Sequence, residues 1–360
     1  MRPLAFDVEH LRIAPACVLA PMEGITDRPF RTLVRGLGGC GLTVTEFVSS
    51  EALSRNVAKA WNMAALGADE HPVSIQIYGR DPIRMAEAAR MSADLGADII
   101  DLNLGCPSKT VTGGCAGSAL LREPGLAQQL FRSVRQAITI PMTVKMRLGW
   151  DWDCINSPEV AHIAEQEGAA MIAVHGRTRN DMYRGQANWR VVGDVKKAVK
   201  VPVLVNGDIL TVDDAVRALN ESGADGVMVG RGTLRDPWIL RAIADHFAGL
   251  PAFEPGLDER RDVLLRYFDL IRTDLSDRAV IGKLKKVTGY FTRGLPFGAR
   301  LRELIFPAQD ITAIYEAVRV YFELLATHDL RDGFRRVFAD TEQKYSPNDS
   351  RSFDREGEQL

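Results

Sequence analysis

Hydrophobic and polar positions follow two different periods in the first two-thirds of the chain. Short, β-branched apolar runs recur at intervals, each with a polar residue or glycine at its far end: CVLAPM (17–22), LTVTEFV (42–48), VSIQIYG (73–79), DIIDLNLG (98–105), MTVKMRL (142–148), MIAVHGR (171–177), VPVLVNGD (201–208) and GVMVGRG (226–232). Segments such as DPIRMAEAARMSADLG (81–96) and TVDDAVRALNESG (211–223) lie between them, with apolar residues at helical spacing. Asp81 followed by Pro82 predicts an N-cap with proline at the first helical position. Thr211 with Asp214 predicts a capping box. GAD or GAA recurs before the fourth, sixth and eighth runs, at 96–98, 168–170 and 223–225. Glycine there suits a helix C-cap and alanine suits close helix–sheet packing. Strands buried on both faces and alternating with helices predict a parallel α/β sheet. Eight units close a (β/α)₈ TIM barrel. The rival, a doubly wound open sheet, lacks its G-x-G-x-x-G turn after the first run.

The pattern changes after residue 247. AGLPAFEPGL (248–257) has the composition of a linker, and 258–340 shows helical spacing alone. The expected organisation is a barrel over 1–247, a small all-helical C-terminal domain over 258–340, and a polar, disordered tail over 341–360. Net charge is −2, so bulk charge points to no polyanion. The helical region differs locally, with seven basic residues and no acid between Arg278 and Arg302, interleaved with Tyr290, Phe291 and Phe297. Lys285 and Lys286 sit at its centre. Such a mixture suits RNA, with cations on phosphates and aromatics under bases; a solvated basic face is the plainer reading.

Five cysteines form no C-x-x-C pair and no zinc spacing, which predicts reduced thiols, no metal and a cytoplasmic address. The N-terminus, MRPLAFDVEHLRIAP, is too charged for a signal segment, and no apolar run is long enough to span a bilayer.

A barrel of this kind places its chemistry where strands end. The candidates are therefore Pro21, Met22, Glu46, Gln76, Asn103, Cys106, Lys145, Arg147, His175, Arg177, Asn206, Asp208, Gly230 and Arg231. Cys106 sits in a G-C-P loop beside Lys109; its residues alone leave open a nucleophile, a proton donor or an inert thiol. Lys145 lies inside a strand and needs an anion if it is buried. Asn206-Gly207-Asp208 and Gly230-Arg231-Gly232 end the seventh and eighth runs, where barrels bind phosphate. A phosphate pocket, a buried lysine and strand-end amides together suit a flavin mononucleotide better than a simple sugar phosphate.

LAPMEGITDRPFR (19–31), QIYG (76–79), DLNLGCPSKTVTGGCAGSALL (101–121), KMRLGWD (145–151), VHGRTR (174–179), NGDI (206–209) and GRG (230–232) resemble, in order, the tRNA-dihydrouridine synthases. The resemblance implies an FMN-containing barrel joined to a helical tRNA-binding domain, with NADPH as reductant and reduction of a tRNA uridine to 5,6-dihydrouridine. It implies that Cys106 gives a proton to C5 of the uracil while reduced FMN gives hydride to C6. Pro21, Met22, Glu23, Gln76, Lys145 and His175 would line the flavin, and Asn206, Gly207, Asp208, Gly230 and Arg231 its phosphate. Asn103 would hydrogen-bond the uracil, with Arg147 and Arg177 near the substrate, and Lys285 and Lys286 would meet the tRNA near its D-loop and elbow. A monomer is expected. KKVTGY departs from the family, with Lys286 where a histidine is usual, and Cys115 matches no required thiol. The rivals are another FMN barrel acting on a free pyrimidine and a non-catalytic RNA-binding barrel. The basic helical region counts against the first, and the intact Gln76, Lys145, His175 and Cys106 against the second.

Overall fold

The computed structural model describes residues 5–274 and 277–327. The expected tail (341–360) and the end of the expected helical domain (328–340) lie outside the described residues. The chain divides into two compact units, the first ending at Phe253 and the second beginning at Glu254.

Eight parallel strands form the first unit: β1 (Cys17–Leu19), β2 (Leu42–Val44), β3 (Val73–Tyr78), β4 (Ile99–Leu104), β5 (Met142–Arg147), β6 (Ala169–His175), β7 (Val203–Asn206) and β8 (Gly226–Val229). Each pairs with its neighbour in sequence order, and β8 returns to β1 with Val227 opposite Cys17 and Met228 opposite Val18. The sheet is thus closed, and every run read from the sequence supplies one of its strands. Val48–Ser49 adds a short extra pairing to β3.

Helices fill the intervals, and their ends are where the sequence signals place them. Asp81 accepts from the N–H groups of Ile83 and Arg84 at the start of Pro82–Asp94. Thr211 and Asp214 form a reciprocal capping box on Val212–Ser222. Gly96, Gly168 and Gly223 all take φ between 68° and 95°, the left-handed turn that glycine makes without a Cβ clash.

Strand periodicity fixes what faces inward. Val18, Ala20, Leu42, Val44, Ile99, Met171, Ala173, Leu204 and Met228 share one buried cluster. Continuing the same alternation two residues at a time, β3 to β7 carry Gln76, Asp101, Asn103, Thr143, Lys145, Arg147, His175 and Asn206 on the inward face. The barrel interior is therefore apolar towards its N-terminal end and polar towards its C-terminal end.

The apolar end has a plug. Phe6–Val8 and Leu11–Ile13 pair as an antiparallel hairpin, and Phe6, Val8 and Ile13 join the interior cluster. In the sequence this N-terminal stretch stands out only as too charged for a signal segment. Its charged positions, Asp7, Glu9 and Arg12, are the exposed half of the alternating hairpin, with Glu9 in the turn at φ 52°.

In the second unit, Leu257–Asp274, Asp277–Phe291, Gly298–Ile305 and Ile311–Thr327 pack around Leu264, Phe268, Leu284, Leu301, Ile314 and Val318. Phe291 is buried and stacks on Tyr267 with ring centroids 5.7 Å apart. It is core, not the base-stacking surface that its place among the basic residues suggested; Phe297 is exposed instead. Lys285 donates to the carbonyl of Phe306 at 2.6 Å, at the C-terminal end of Gly298–Ile305, while Lys286 is exposed.

Ile13 is fully buried in the plug, so Ile13→Ala should destabilise the first unit by about 2–5 kcal/mol through lost burial and a residual cavity. Denaturant unfolding followed by tryptophan fluorescence measures this, and an unchanged midpoint would exclude the plug.

Candidate active site

The polar end of the barrel is built by the inward side chains of β3 to β7 and the loops that follow them. Asp101 on β4 is buried and accepts from Thr143 Oγ1 of β5 at 2.5 Å and from Gln76 Nε2 of β3 at 2.6 Å. Asn103 Nδ2 donates to Gln76 Oε1 at 2.7 Å. Asn103 Oδ1 accepts from the backbone N–H groups of Gly105 and Cys106, at 2.9 and 2.8 Å. The strand-end amides are thus tied to one another and to the loop carrying the thiol.

Cys106 is half-buried against the small apolar cluster of Phe47, Val111, Ala116 and Tyr78. Its Sγ lies 3.4 Å from the Ser108 hydroxyl. Ser118 holds the other side of the loop, its N–H and Oγ donating to the Cys106 carbonyl at 3.1 and 2.9 Å. Gly117, at φ 59°, makes the close approach possible: a Cβ there would meet the Cys106 carbonyl oxygen at 2.9 Å. Cys115 lies two residues earlier, also at positive φ.

Cations dominate the next sector. Burial, reinforced by neighbouring Arg147, lowers the Lys145 amine to about 8. Among the described residues no carboxylate lies within ion-pair distance of it. Arg147 is buried and donates to the carbonyls of Gly105, Thr178 and Met182 at 2.7–2.9 Å. Burial lowers it to about 10, so it stays charged at neutral pH. Arg177, also buried, donates to the carbonyls of Arg184 and Gly185 and forms a two-pronged pair with Asp208 at 3.0 and 2.7 Å. These contacts commit its guanidinium to the chain itself, so it braces the 177–185 loop.

His175 sits among these cations. Burial, followed by the charges of Arg147, Lys145, Arg177 and Arg231, drives its pKa well below the usual imidazole range. It is therefore neutral at physiological pH. Arg177 approaches Nε2 at 3.4 Å; arginine can only donate, so the proton belongs on Nδ1. Gly207, at φ 110°, lies beneath the ring, where a Cβ would come within 2.7 Å of His175 Cδ2. Asp208 accepts from Arg231 at 3.1 Å and from the Ala187 N–H at 2.8 Å besides pairing with Arg177. Its carboxylate is spent on orienting two arginines, and a carboxylate would repel a phosphate directly. Asn206 donates to the Met228 carbonyl, holding the seventh loop to the eighth strand.

The first loop closes the opposite side. Met22 caps its own turn through Thr26, and its sulfur packs over Gly230, 3.4 Å from where a Cβ would stand. Buried Glu46 accepts from the Gly24 N–H and so fixes Pro21, Met22 and Glu23.

A dihydrouridine synthase family model matches residues 18–326. The chain belongs to the dihydrouridine synthase family. It is 39% identical over 318 residues to a probable tRNA-dihydrouridine synthase of Rickettsia bellii, covering 88% of this chain and 97% of that one. Identity to a probable tRNA-dihydrouridine synthase of Rhodobacter capsulatus is 42% over 323 residues, 89% of this chain and 98% of that one. Identity to tRNA-dihydrouridine synthase B of Xanthomonas axonopodis is 38% over 314 residues, 87% and 94% respectively. Among solved structures, a 2-naphthoyl-CoA reductase complexed with 2-naphthoyl-CoA superposes with a TM-score of 0.53 at 12% identity. That match covers 69% of this chain and 52% of the other, and the likeness is one of fold.

Within this dihydrouridine synthase barrel, sequence reasoning passed over several site residues. Asp101 and Thr143 share the inward parity of Asn103 and Lys145, so the period of two alone could have singled them out. Tyr183 carries no such signal: its ring lies beneath Arg147 and Arg231, at 5.5 and 5.1 Å, on a loop whose path only the fold defines. Arg31 pairs with Glu70 in the core and donates to the Thr26 carbonyl at 2.8 Å, bracing the first loop. No group of three or more His, Cys, Asp or Glu suited to a metal occurs among the described residues. None of their helices is long and apolar enough to cross a membrane.

Asp208→Asn should cost on the order of 3 kcal/mol, because it leaves the Arg177 charge buried without its partner. Chemical unfolding at pH 7 measures the loss; a change below the error of the measurement would show that Arg177 does not depend on the pair.

Proposed function

We propose that this protein reduces the C5=C6 bond of uridine in tRNA to 5,6-dihydrouridine, with FMN as resident cofactor and NADPH as reductant. The observation that carries the reading is the juxtaposition of a thiol loop with an anion-seeking sector. Cys106 is held by Asn103 and Ser108, and Lys145, Arg147, Arg177 and Arg231 surround a neutral His175. The donor set fits a ring with hydrogen-bonding edges and an anionic tail. Lys145 offers a cation with no carboxylate at ion-pair distance among the described residues, Asp101 acting on it only across space. Gln76 and Asn103 each retain an amide hydrogen beyond those their contacts use. The loops ending at Asn206–Asp208 and Gly230–Arg231 would hold the phosphate, with Arg231 as its cation and Asp208 orienting that arginine. Pro21, Met22 and Glu23 would cover the ring from the first loop.

When bound and reduced, the cofactor supplies the hydride for C6. Cys106 supplies the other atom, passing its thiol proton to C5 as a general acid, so the double bond gains one hydride and one proton. Ser108, already within reach of the sulfur, can turn its hydroxyl to donate to the thiolate left behind. Lys145 stabilises negative charge on the bound ring, and neutral His175 presents Nδ1–H as a donor without adding a fifth positive charge. Arg147 and Arg177 keep the 177–185 loop in place beside the substrate. A uracil must leave its stack to enter the barrel end, so base extrusion from the tRNA elbow belongs to the reaction.

The helical unit would supply the tRNA surface, and this reading places the enzyme in the cytoplasm as a monomer. Lys286, exposed on Asp277–Phe291, is its better representative, since Lys285 already bonds the Phe306 carbonyl. Lys286→Glu should raise the KM for tRNA several-fold at low salt and less at high salt. A KM unchanged at every salt concentration would move the RNA surface elsewhere.

The reading itself is tested by reducing the protein with NADPH under anaerobic conditions and following flavin absorbance as acceptors are added. Reoxidation by unmodified tRNA, but not by orotate or free uridine, is expected. Cys106→Ala should retain flavin and lose dihydrouridine formation. Reoxidation by a free pyrimidine, or normal product from Cys106→Ala, would overturn the proposal.

A further inference from the structure

Asp101 touches neither the thiol nor the cation sector through a hydrogen bond, yet it heads a line of bonds that ends on the Cys106 loop. The line runs from Asp101 Oδ2 to Gln76 Nε2, from Gln76 Oε1 to Asn103 Nδ2, and from Asn103 Oδ1 to the N–H groups of Gly105 and Cys106. We propose that Asp101 is a positioning residue for Cys106, acting through Gln76 and Asn103 to hold the thiol loop in a single arrangement. This rests on the reading of Cys106 as the proton donor.

A side-chain amide fits its site in two orientations of nearly the same shape, with oxygen and nitrogen exchanged. The two in series here are therefore ambiguous unless something fixes both ends of the line. At the loop end, two backbone N–H groups need the oxygen of Asn103. Its nitrogen then faces Gln76 and needs that residue's oxygen, which turns the Gln76 nitrogen towards β4. An acceptor must stand there, and Asp101 presents a carboxylate oxygen. Thr143, donating to the other oxygen at 2.5 Å, holds the carboxylate's rotation. Acceptor at one end and donors at the other agree on one orientation for both amides. Gln76, Asp101, Asn103 and Thr143 are all buried, so water is not available to replace a misdirected bond.

Asp101→Asn keeps the shape and removes the agreement. An asparagine can present its N–H to a flipped Gln76, which lets Asn103 flip and turn its NH₂ against the N–H groups of Gly105 and Cys106. The loop then loses its single arrangement while the barrel core keeps its volume.

The test uses the full-length holoenzyme. Wild type and Asp101→Asn are compared for melting temperature, flavin content, kcat and KM for unmodified tRNA, and the rate at which iodoacetamide alkylates Cys106, read by peptide mass spectrometry. The expected result is a kcat lowered about 10- to 100-fold by misplacement of the acid, with KM for tRNA, flavin content and melting temperature near wild type. The alkylation rate at Cys106 should change by several-fold. Wild-type kcat and alkylation rate together would overturn the proposal. Should Asp101→Asn fail to fold or to keep flavin, Thr143→Val removes only the hydroxyl that locks the carboxylate. It should show the same split with a smaller fall in kcat, and wild-type behaviour there would overturn the proposal too. If the wild-type enzyme does not act on tRNA, the functional reading fails separately, and the alkylation comparison still decides whether Asp101 sets the loop.

Discussion

Four cationic side chains converge on one imidazole at the C-terminal end of a closed barrel. That concentration of positive charge is the constraint on which the rest of the site depends. Lys145, Arg147, Arg177 and Arg231 each lower the pKa of His175, and their mutual repulsion must be offset for the fold to exist. Asp208 offsets it for Arg177 and Arg231. Arg147 is accommodated by three loop carbonyls. Among the described residues Lys145 has no carboxylate within ion-pair distance; Asp101 favours its charge only across space, and burial with Arg147 still lowers the amine to about 8. Under the proposed function this amine is the barrel's reserved cation, the one an anionic cofactor would meet.

The second organising element is the sharp division of the barrel interior. Towards the N-terminal end the inward residues are Val, Leu, Ile, Met and Ala, sealed by the Phe6–Ile13 hairpin. Towards the C-terminal end the same strands carry amides, acids and bases. The apolar half supplies a rigid support, and the polar half is consequently held by strands rather than by loops alone. That matters for Cys106. Its loop is mobile in principle, but Asn103 on β4 and Ser118 clamp it from two sides.

Much of this was legible in the chain. Alternation of apolar runs and helical segments marks all eight strands, and the strand-end rule by itself singles out Gln76, Asn103, Lys145, Arg147, His175 and Asn206. What escaped has physical reasons. The hairpin plug is only two three-residue strands, too short for a period to declare itself amid charges. Asp101 looks like an ordinary acid in DIIDLNLG, and only its strand parity marks it. Tyr183 and the Arg177–Asp208 pair depend on loop paths, which periodicity does not describe. The sequence pattern also overstated Phe291: an aromatic among basic residues reads the same whether it stacks on a base or on Tyr267.

The electrostatic account is tested most directly by the protons exchanged on addition of FMN, the proposed cofactor. Calorimetric titration of the cofactor-free protein at pH 8, repeated in buffers of different ionisation enthalpy, reports that exchange. An anion settling beside Lys145 should raise its pKa from about 8, drawing in up to about half a proton per FMN bound. The uptake should vanish in Lys145→Met. Binding without proton uptake in the wild type, or with the same uptake in the variant, would contradict the claim that this amine is the barrel's reserved cation.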